Sequence, residues 1–375
     1  MNRRGPLHGG RFFATSPLPN PSQRLTLSFN LAFFPHLERF NGIAPGWSHP
    51  MSSLPPVHIL FENPDWLPPL RDALHKEGFE YTEIPVHHGI ISGPPAPGIY
   101  LNRMSPSSHT RGHLTSVALT REILAHLQAH GARVVNGLAA FELEMSKLRQ
   151  HLTLQRFGIR TPRTALAVGT EHLVSLARTF EGPFITKHNR GGKGLGIERF
   201  ENADELQDRL AQGDFDLGPD HQVLIQQYIQ APEPFITRVE IVGQRMIFAM
   251  RSATDEGFQL CPSDVCQVEL QREKAQAAAL ADNCPIDGGA KFSQSPLKAD
   301  DPLVLKYLAM CAASGIELAG IEFVEDAHGH RYTYDINGTT NYNQTLGRQM
   351  GIHGMEELAT YLRHVVAPQV MAELG

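Results

Sequence analysis

The chain is 375 residues long, 41% hydrophobic and 19% charged, with a formal net charge of −6. That length leaves room for more than one domain around a large core, and the scattered lysines and arginines on a mildly acidic chain exclude the basic footprint of a nucleic-acid-binding protein. Four cysteines (Cys261, Cys266, Cys284 and Cys311) are too few for a disulfide framework, and no run approaches the ~20 apolar residues of a membrane span, so a cytoplasmic protein of enzyme size is expected.

Residues 1–50 differ from the rest. "MNRRGPLHGGRFFATSPLPNPSQ" is rich in Gly, Pro, Ser and Arg and carries neither a helical nor a strand period. The apolar patch Leu31 to Phe34 is too short, and too far from the start, for a secretory signal. The expectation is a segment that is disordered, or else an artefact of start-site choice with Met51 as the true start, because patterned sequence begins directly after it; a basic, serine-bearing mitochondrial-type targeting segment stays open.

From Pro56 onward strands and helices alternate. "VHILF" reads as a buried strand, "DWLPPLRDALHKEG" as a helix closed by Gly78, and "EYTEIPV" and "GIYLN" as two further strands. A helix through "SVALTREILAHLQAHG" and a short strand "RVVN" follow. This alternation predicts a doubly wound parallel sheet, whose ligands bind beyond the carboxyl ends of the strands. The loop Asn102 to His113 lies at such an end, and its Arg103, Ser105, Ser107, Ser108 and Arg111 are either an anion or carboxylate grip or a plain polar surface. His87, His88, His109 and His113 also fall in loops, without the spacing of a metal site.

One long helix is expected over "LAAFELEMSKLRQHLTLQRFG", ending at Gly158 and carrying Lys147. Alone, such a lysine is ordinarily solvated. The segment "FITKHNRGGKGLGIERF" changes that: a strand through Lys187 runs into a loop with four glycines in eight residues. Backbone amides in such a loop can approach a phosphate closely, and Lys187 stands at its edge as a point charge. The pattern is no P-loop, since it lacks G-x4-G-K-[ST] and no helix follows. Next come the apolar strand "HQVLIQQYIQAPEPF" with a polar hinge and "TRVEIVGQRMIFAMRS", a hairpin turning at Gly243. "GIELAGIEFVEDAHGHRYTYDINGTTNYN" then supplies two strands joined near His328 and Gly329. In the last strand Asp335 and Asn337 share a face by the period of two. With Glu322 on the neighbouring strand they form a hard-oxygen set suited to Mg²⁺, or else they merely solvate the outer face of a hairpin.

This ordered set resembles the ATP-grasp superfamily, in particular carboxylate–amine ligases of the RimK glutamate-ligase type, over roughly Pro56 to the end. The resemblance implies an α/β ATP-grasp fold: a pre-domain over 51–137 built on a doubly wound parallel sheet, then an ATP-grasp region over 138–375. That region would hold a small α+β lid near 160–230 and a C-terminal antiparallel-sheet subdomain near 231–375. It further implies ATP-binding roles for Lys147, Lys187, Gly191, Gly192, Gly194, the hinge Gln227, Tyr228 and Ile229, and Glu233 at the ribose. Arg238 and Arg251 match arginines that steady a phosphoryl group or tetrahedral intermediate, although Ile236 stands where the family often has an aspartate. Glu322, Asp335 and Asn337 would hold Mg²⁺, or Mn²⁺ in its place, and Arg103 and Asn341 would face the substrate, as would Thr339, Thr340 and Asn343. The loop "DGGAKF" around Gly288 and Gly289 resembles another active-site loop.

The implied activity joins a carboxylate to an amine, such as glutamate, through an acyl phosphate, on small molecules or on a peptide or protein C-terminus. No nucleic acid or membrane partner is expected, and a homodimer is expected by analogy. The rivals are an ATP-grasp kinase or carboxylase with the same nucleotide site, and a nucleotide-binding protein without activity.

Overall fold

The computed structural model describes residues 54–192, 194, 196–254 and 291–373, and side chains as far as 366. The N-terminal extension, Gly288 and Gly289, and three of the four cysteines lie outside the described residues.

Three sheets follow one another along the chain. The first is parallel, in the order β2-β1-β3-β4, from β1 (Val57–Phe61), β2 (Tyr81–Pro85), β3 (Ile99–Arg103) and β4 (Arg133–Val135). Its helices are α1 (Pro68–Lys76) and α2 (Ser116–Ala129). Val57, Ile59, Ile99 and Leu101 pack with α1 in one cluster, whereas Leu60 and Tyr100 pack with α2 in another. A strand covered on both faces reads as a continuous apolar run, which is why "VHILF" shows no alternation.

The expected single helix after β4 is two. Helix α3 (Leu138–Glu144) stops, and α4 (Lys147–Arg156) restarts at an N-cap, Ser146, whose side chain accepts from the Arg149 amide at 3.3 Å. A capping serine with extended backbone begins a helix rather than continuing one. The break is structural punctuation that apolar periodicity alone does not reveal, and it places Lys147 in the first turn of α4.

The second sheet is antiparallel, in the order β5-β8-β6-β7, from β5 (Thr164–Val168), β6 (Phe184–His188), β7 (Glu198–Phe200) and β8 (Gln222–Gln227). Helices α5 (Leu173–Ala177) and α6 (Ala203–Ala211) cover it through a core that includes Leu173, Phe184, Phe200, Leu206 and Ile225. The third sheet is also antiparallel, in the order β11-β10-β9-β12-β13. Its strands are β9 (Phe235–Val242), β10 (Arg245–Ala253), β11 (Phe292–Gln294), β12 (Leu318–Glu325) and β13 (Arg331–Asn337). Helix α7 (Pro302–Ser314), capped by the Asp301 side chain, packs on one face through Val304, Tyr307 and Met310 against Val239, Ile321 and Ile336. Helices α8 (Gln344–Met350) and α9 (Gly354–Glu373) close the other face, where Met250 and Leu318 join the first core. With one face of the third sheet committed to α7, the stretch of the opposite face beyond that first core is left to form a site.

Asn136, at φ 53°, fastens the first sheet to the third. Its side-chain amide donates to the carbonyls of Leu318 at 2.8 Å and Gly338 at 2.9 Å and accepts from the amides of Glu317 and Leu318. Gln150 of α4 does the same for β13, donating to the Ile336 carbonyl at 2.9 Å and accepting from its amide at 3.0 Å. Both satisfy backbone groups at strand ends that would otherwise be buried unpaired.

Candidate active site

A cleft of about 460 Å³ lies between the second and third sheets and the loop after β3. Strand register builds its floor: Arg238 on β9, Glu322 on β12 and Asp335 on β13 are direct neighbours across three adjacent strands. Arg238 is 3% exposed and clasped by two carboxylates, with Nε donating to Glu240 and Nη1 to Glu322, each at 2.7 Å. Burial alone would depress its pKa, but the two carboxylates outweigh that and hold it above the ordinary arginine range. Gly320 makes room for the guanidinium, since a Cβ there would meet Nη2 at 1.9 Å.

A bulge between Glu322 and Phe323 interrupts the pairing of β12 with β13. Thr333 therefore turns toward α7, where its hydroxyl meets Tyr307 at 2.6 Å, while Asp335 and Asn337 face the cleft. Tyr334, an alternating partner of Ile336 by strict period, instead also lines the cleft and donates to Glu322 at 3.1 Å.

Lys147 reaches Asp335 directly, and Asn337 donates to the same carboxylate at 3.4 Å. Burial raises the Asp335 pKa, but Lys147 and Lys187 overcome it and keep the group below the usual aspartate range. Burial pushes Glu322 up, with Arg238 opposing. Lys187, 4% exposed on β6, points its ammonium across the cleft to the Tyr334 carbonyl at 3.5 Å. Desolvation and the nearby Lys147 push it down to about 7, against the pull of Asp335 and Glu322. A buried ammonium this poorly compensated favours an anionic group beside it.

Asn189 couples lid and helix, since its carbonyl accepts the Lys147 amide at 3.0 Å and its side-chain oxygen the Leu148 amide at 3.0 Å. Gly191, Gly192 and Gly194 line the cleft, as do Gln227, Tyr228 and Ile229 between β8 and β9. The Gln227 amide is spent on the Arg163 carbonyl and the Tyr228 amide on that of Pro183, which fixes the hinge backbone. Tyr228 also lies under the Arg199 guanidinium at 4.5 Å.

Other expected residues lie elsewhere. Glu233 is exposed and not among the cleft-lining residues, because the turn Pro232–Pro234 carries it outward. Arg251 pairs in register with Thr237 while Arg238 pairs with Met250, so the two arginines belong to opposite faces of the sheet. Arg251 sits 4.2 Å over the Phe235 ring and does not line the cleft. Arg103, 2% exposed, is not on the cleft surface: it donates to the Thr340 carbonyl at 2.7 Å and to the Asn341 side chain, and so holds the loop that is. Thr339, Thr340 and Asn341 line the cleft, whereas Asn343 caps α8, accepting from the Leu346 amide at 2.7 Å. In the loop after β3, Ser105 and Ser107 reach the cleft, but Arg111 is spent on the buried Glu62, which His113 also contacts at 2.5 Å. His87 stacks on His113 at 4.7 Å, and among the described residues no group of three or more His, Cys, Asp or Glu side chains could hold a metal ion.

Glu144, Glu240, Asn136 and Gln150 are site or scaffold residues that pattern reasoning passes over. Their side chains' sequence signal is weak, since the partners lie 100 residues or more along the chain except in the Glu240 contact to Arg238 and the Gln150 contact to the Glu144 carbonyl.

The three sheets, with two lysines, a glycine loop and an acidic strand pair at one cleft, have the ATP-grasp fold, and comparison with solved structures shows that fold. The chain shares its fold with a RimK domain ATP-grasp protein from Sphaerobacter thermophilus (TM-score 0.55, 17% identity, covering 82% of this chain and 98% of that one). It likewise matches D-alanyl-alanine synthetase A from Vibrio cholerae (TM-score 0.57, 12% identity, covering 83% and 98%). More particularly, residues 145–261 match the family model of the RimK-like ATP-grasp domain. A probable alpha-L-glutamate ligase of Vibrio vulnificus is 25% identical over 231 residues, 60% of this chain and 75% of the relative.

Proposed function

We propose that this protein is an ATP-dependent ligase that joins a carboxylate to an amine through an acyl phosphate, the amine being an amino acid such as glutamate. The observation that carries the reading is the under-compensated Lys187 ammonium, buried in one cleft with Lys147, the glycine loop and Arg238. A carboxylate is a poor electrophile, and phosphorylation by ATP supplies a leaving group. Catalysis of that transfer is mostly positioning and charge stabilisation, which suits a site of fixed cations with no Ser–His or Cys–His nucleophile among its cleft-lining residues.

The donor set of Glu322, Asp335 and Asn337 fits a hard divalent cation such as Mg²⁺, because the two carboxylates are register neighbours and all three oxygen-bearing side chains line one cleft. Such an ion, when bound, supplies further neutralisation of phosphate charge. Lys147 and Lys187 would neutralise the transferring phosphoryl oxygens, the glycine loop would cover them, and the hinge Gln227–Ile229 would hold the base. Arg238, fixed by Glu240, would face the developing oxyanion, while Arg103 would hold the loop bearing Asn341 in place for the substrate.

The test is ADP release in a screen of amino acids and short peptides, with mass detection of the product. A ligase makes ADP and a condensed product only when acid and amine are both present. Phosphate release without an amine requirement would mark a kinase or carboxylase instead. Unchanged turnover after Lys187→Ala or Asp335→Ala would sink the site assignment.

A further inference from the structure

The amine substrate of a ligase arrives as an ammonium ion, which has no lone pair to attack with, so the site needs a proton acceptor beside the acyl group. Among the described residues three carboxylates line the cleft: Glu322, Asp335 and Glu144. Glu322 is committed to Arg238 and Asp335 to Lys147. Glu144 stands apart. It ends α3, is 7% exposed, and has no ion pair among the described residues.

We propose that Glu144 binds the incoming ammonium and takes its proton, making it the general base of amide formation; the inference rests on the ligase reading above. Its surroundings are specific. Oε1 accepts the Thr339 amide at 2.9 Å. Oε2 lies 3.4 Å from the Thr339 hydroxyl, whose single proton is already given to the Met104 carbonyl at 2.7 Å. The hydroxyl has one proton for two acceptors and the Met104 carbonyl is the nearer, so what it donates to Oε2 is weak.

From the other elements packed around it, Asn136 donates to the Gly338 carbonyl and Gln150 to the Glu144 backbone carbonyl at 3.3 Å. Among the described residues Arg103 attracts the carboxylate at longer range. Burial pushes Glu144 up to about 7, against the pull of Thr339, Gly338 and Arg103, which suits a base working near neutral pH. Glu144 also sits where the nucleophile must arrive. Its Oε2 would be 2.7 Å from a Cβ on Gly338, the residue after Asn337, in the same loop as the cleft-lining Thr339 to Asn341. His188, which also lines the cleft, is spent at Nε2 on the Asp216 carbonyl at 3.2 Å.

The step balances as follows. The ammonium gives one proton to the Glu144 carboxylate, and the freed lone pair attacks the acyl carbon. The C–N bond forms, the bond from acyl carbon to phosphate oxygen breaks, and the second proton leaves nitrogen with the phosphate. Glu144 returns its proton to water when the product departs.

Glu144→Gln keeps the side-chain volume and the acceptor for the Thr339 amide, and so separates a base from a spacer. Wild type and variant are given ATP, MgCl2 and a pool of amino acids and dipeptides, with or without hydroxylamine. Hydroxylamine is largely unprotonated near neutral pH and captures an acyl phosphate without a base. The expected result is that Glu144→Gln forms hydroxamate at a rate near wild type, while its amide product falls about 100-fold or more. The amide rate should then recover about tenfold per pH unit as free amine accumulates. Glu144→Asp should restore part of the amide rate near neutral pH. Wild-type proportions of both products in Glu144→Gln would overturn the proposal and leave the ligase reading standing. Equal loss of both products in Glu144→Gln and Glu144→Asp would overturn it too. A wild-type protein that makes neither hydroxamate nor amide would overturn the ligase reading and this inference with it.

Discussion

Replacing Lys187 by methionine removes the buried ammonium while leaving an apolar chain of similar volume on β6. Burial and Lys147 bring Lys187 down to about 7 from its ordinary 10.5. Between those values the unfolded chain binds more protons than the folded one, so wild-type stability rises with pH across the window, and the methionine variant lacks this contribution. Integrated from about pH 7 to about pH 8.5, Lys187 alone is worth about 1.6 kcal/mol of added wild-type stability. Across the described residues that corresponds to a change of about 3 °C in the difference between the two melting temperatures. Thermal unfolding of both proteins at the two pH values measures it. The expected outcome is a variant more stable than wild type near neutral pH, with its advantage shrinking as pH rises. A difference that stays constant with pH would refute the claim that the folded state holds an ammonium short of counter-charge.

The same poise predicts that ATP binding near pH 8 takes up close to one proton, up to about 0.9, as the phosphates restore the Lys187 charge; calorimetry in two buffers of different ionisation enthalpy measures it, and zero uptake contradicts it. Gly320→Ala places a Cβ into the Arg238 guanidinium and should break its bonds to Glu240 and Glu322, costing about 3–5 kcal/mol of stability with loss of turnover, as read by denaturant unfolding and ADP release. Asn136→Ala strands the Gly338 and Leu318 carbonyls and the Glu317 and Leu318 amides, and should cost about 3 kcal/mol or more by denaturant unfolding. Arg103→Met should raise the substrate KM while leaving ATP affinity near wild type, because Arg103 holds Thr340 and Asn341 rather than the nucleotide residues; an equal loss in both would place it in the nucleotide site.

Along the chain, local pattern determined much of this protein. Buried apolar runs set the parallel sheet, the glycine cluster beside Lys187 set the loop, and the period of two put Asp335 and Asn337 on one face. These features arise within a few residues, so a linear reading reaches them. What tertiary structure decided was which side chains meet. Sheet register alone places Arg251 on the face opposite Arg238, and the bulge after Glu322 turns Tyr334 into the cleft. The Pro232–Pro234 turn leaves Glu233 outside, and burial converts Arg103 from a substrate contact into a support for the loop that makes one. Glu144 is the clearest case. It reads as one more polar position on an amphipathic helix until the chain returns 195 residues later with Thr339, which shares its cleft, and among the described residues its carboxylate has no ion pair. Charge, burial and partner at that position are properties of the folded neighbourhood, and no local spacing encodes them.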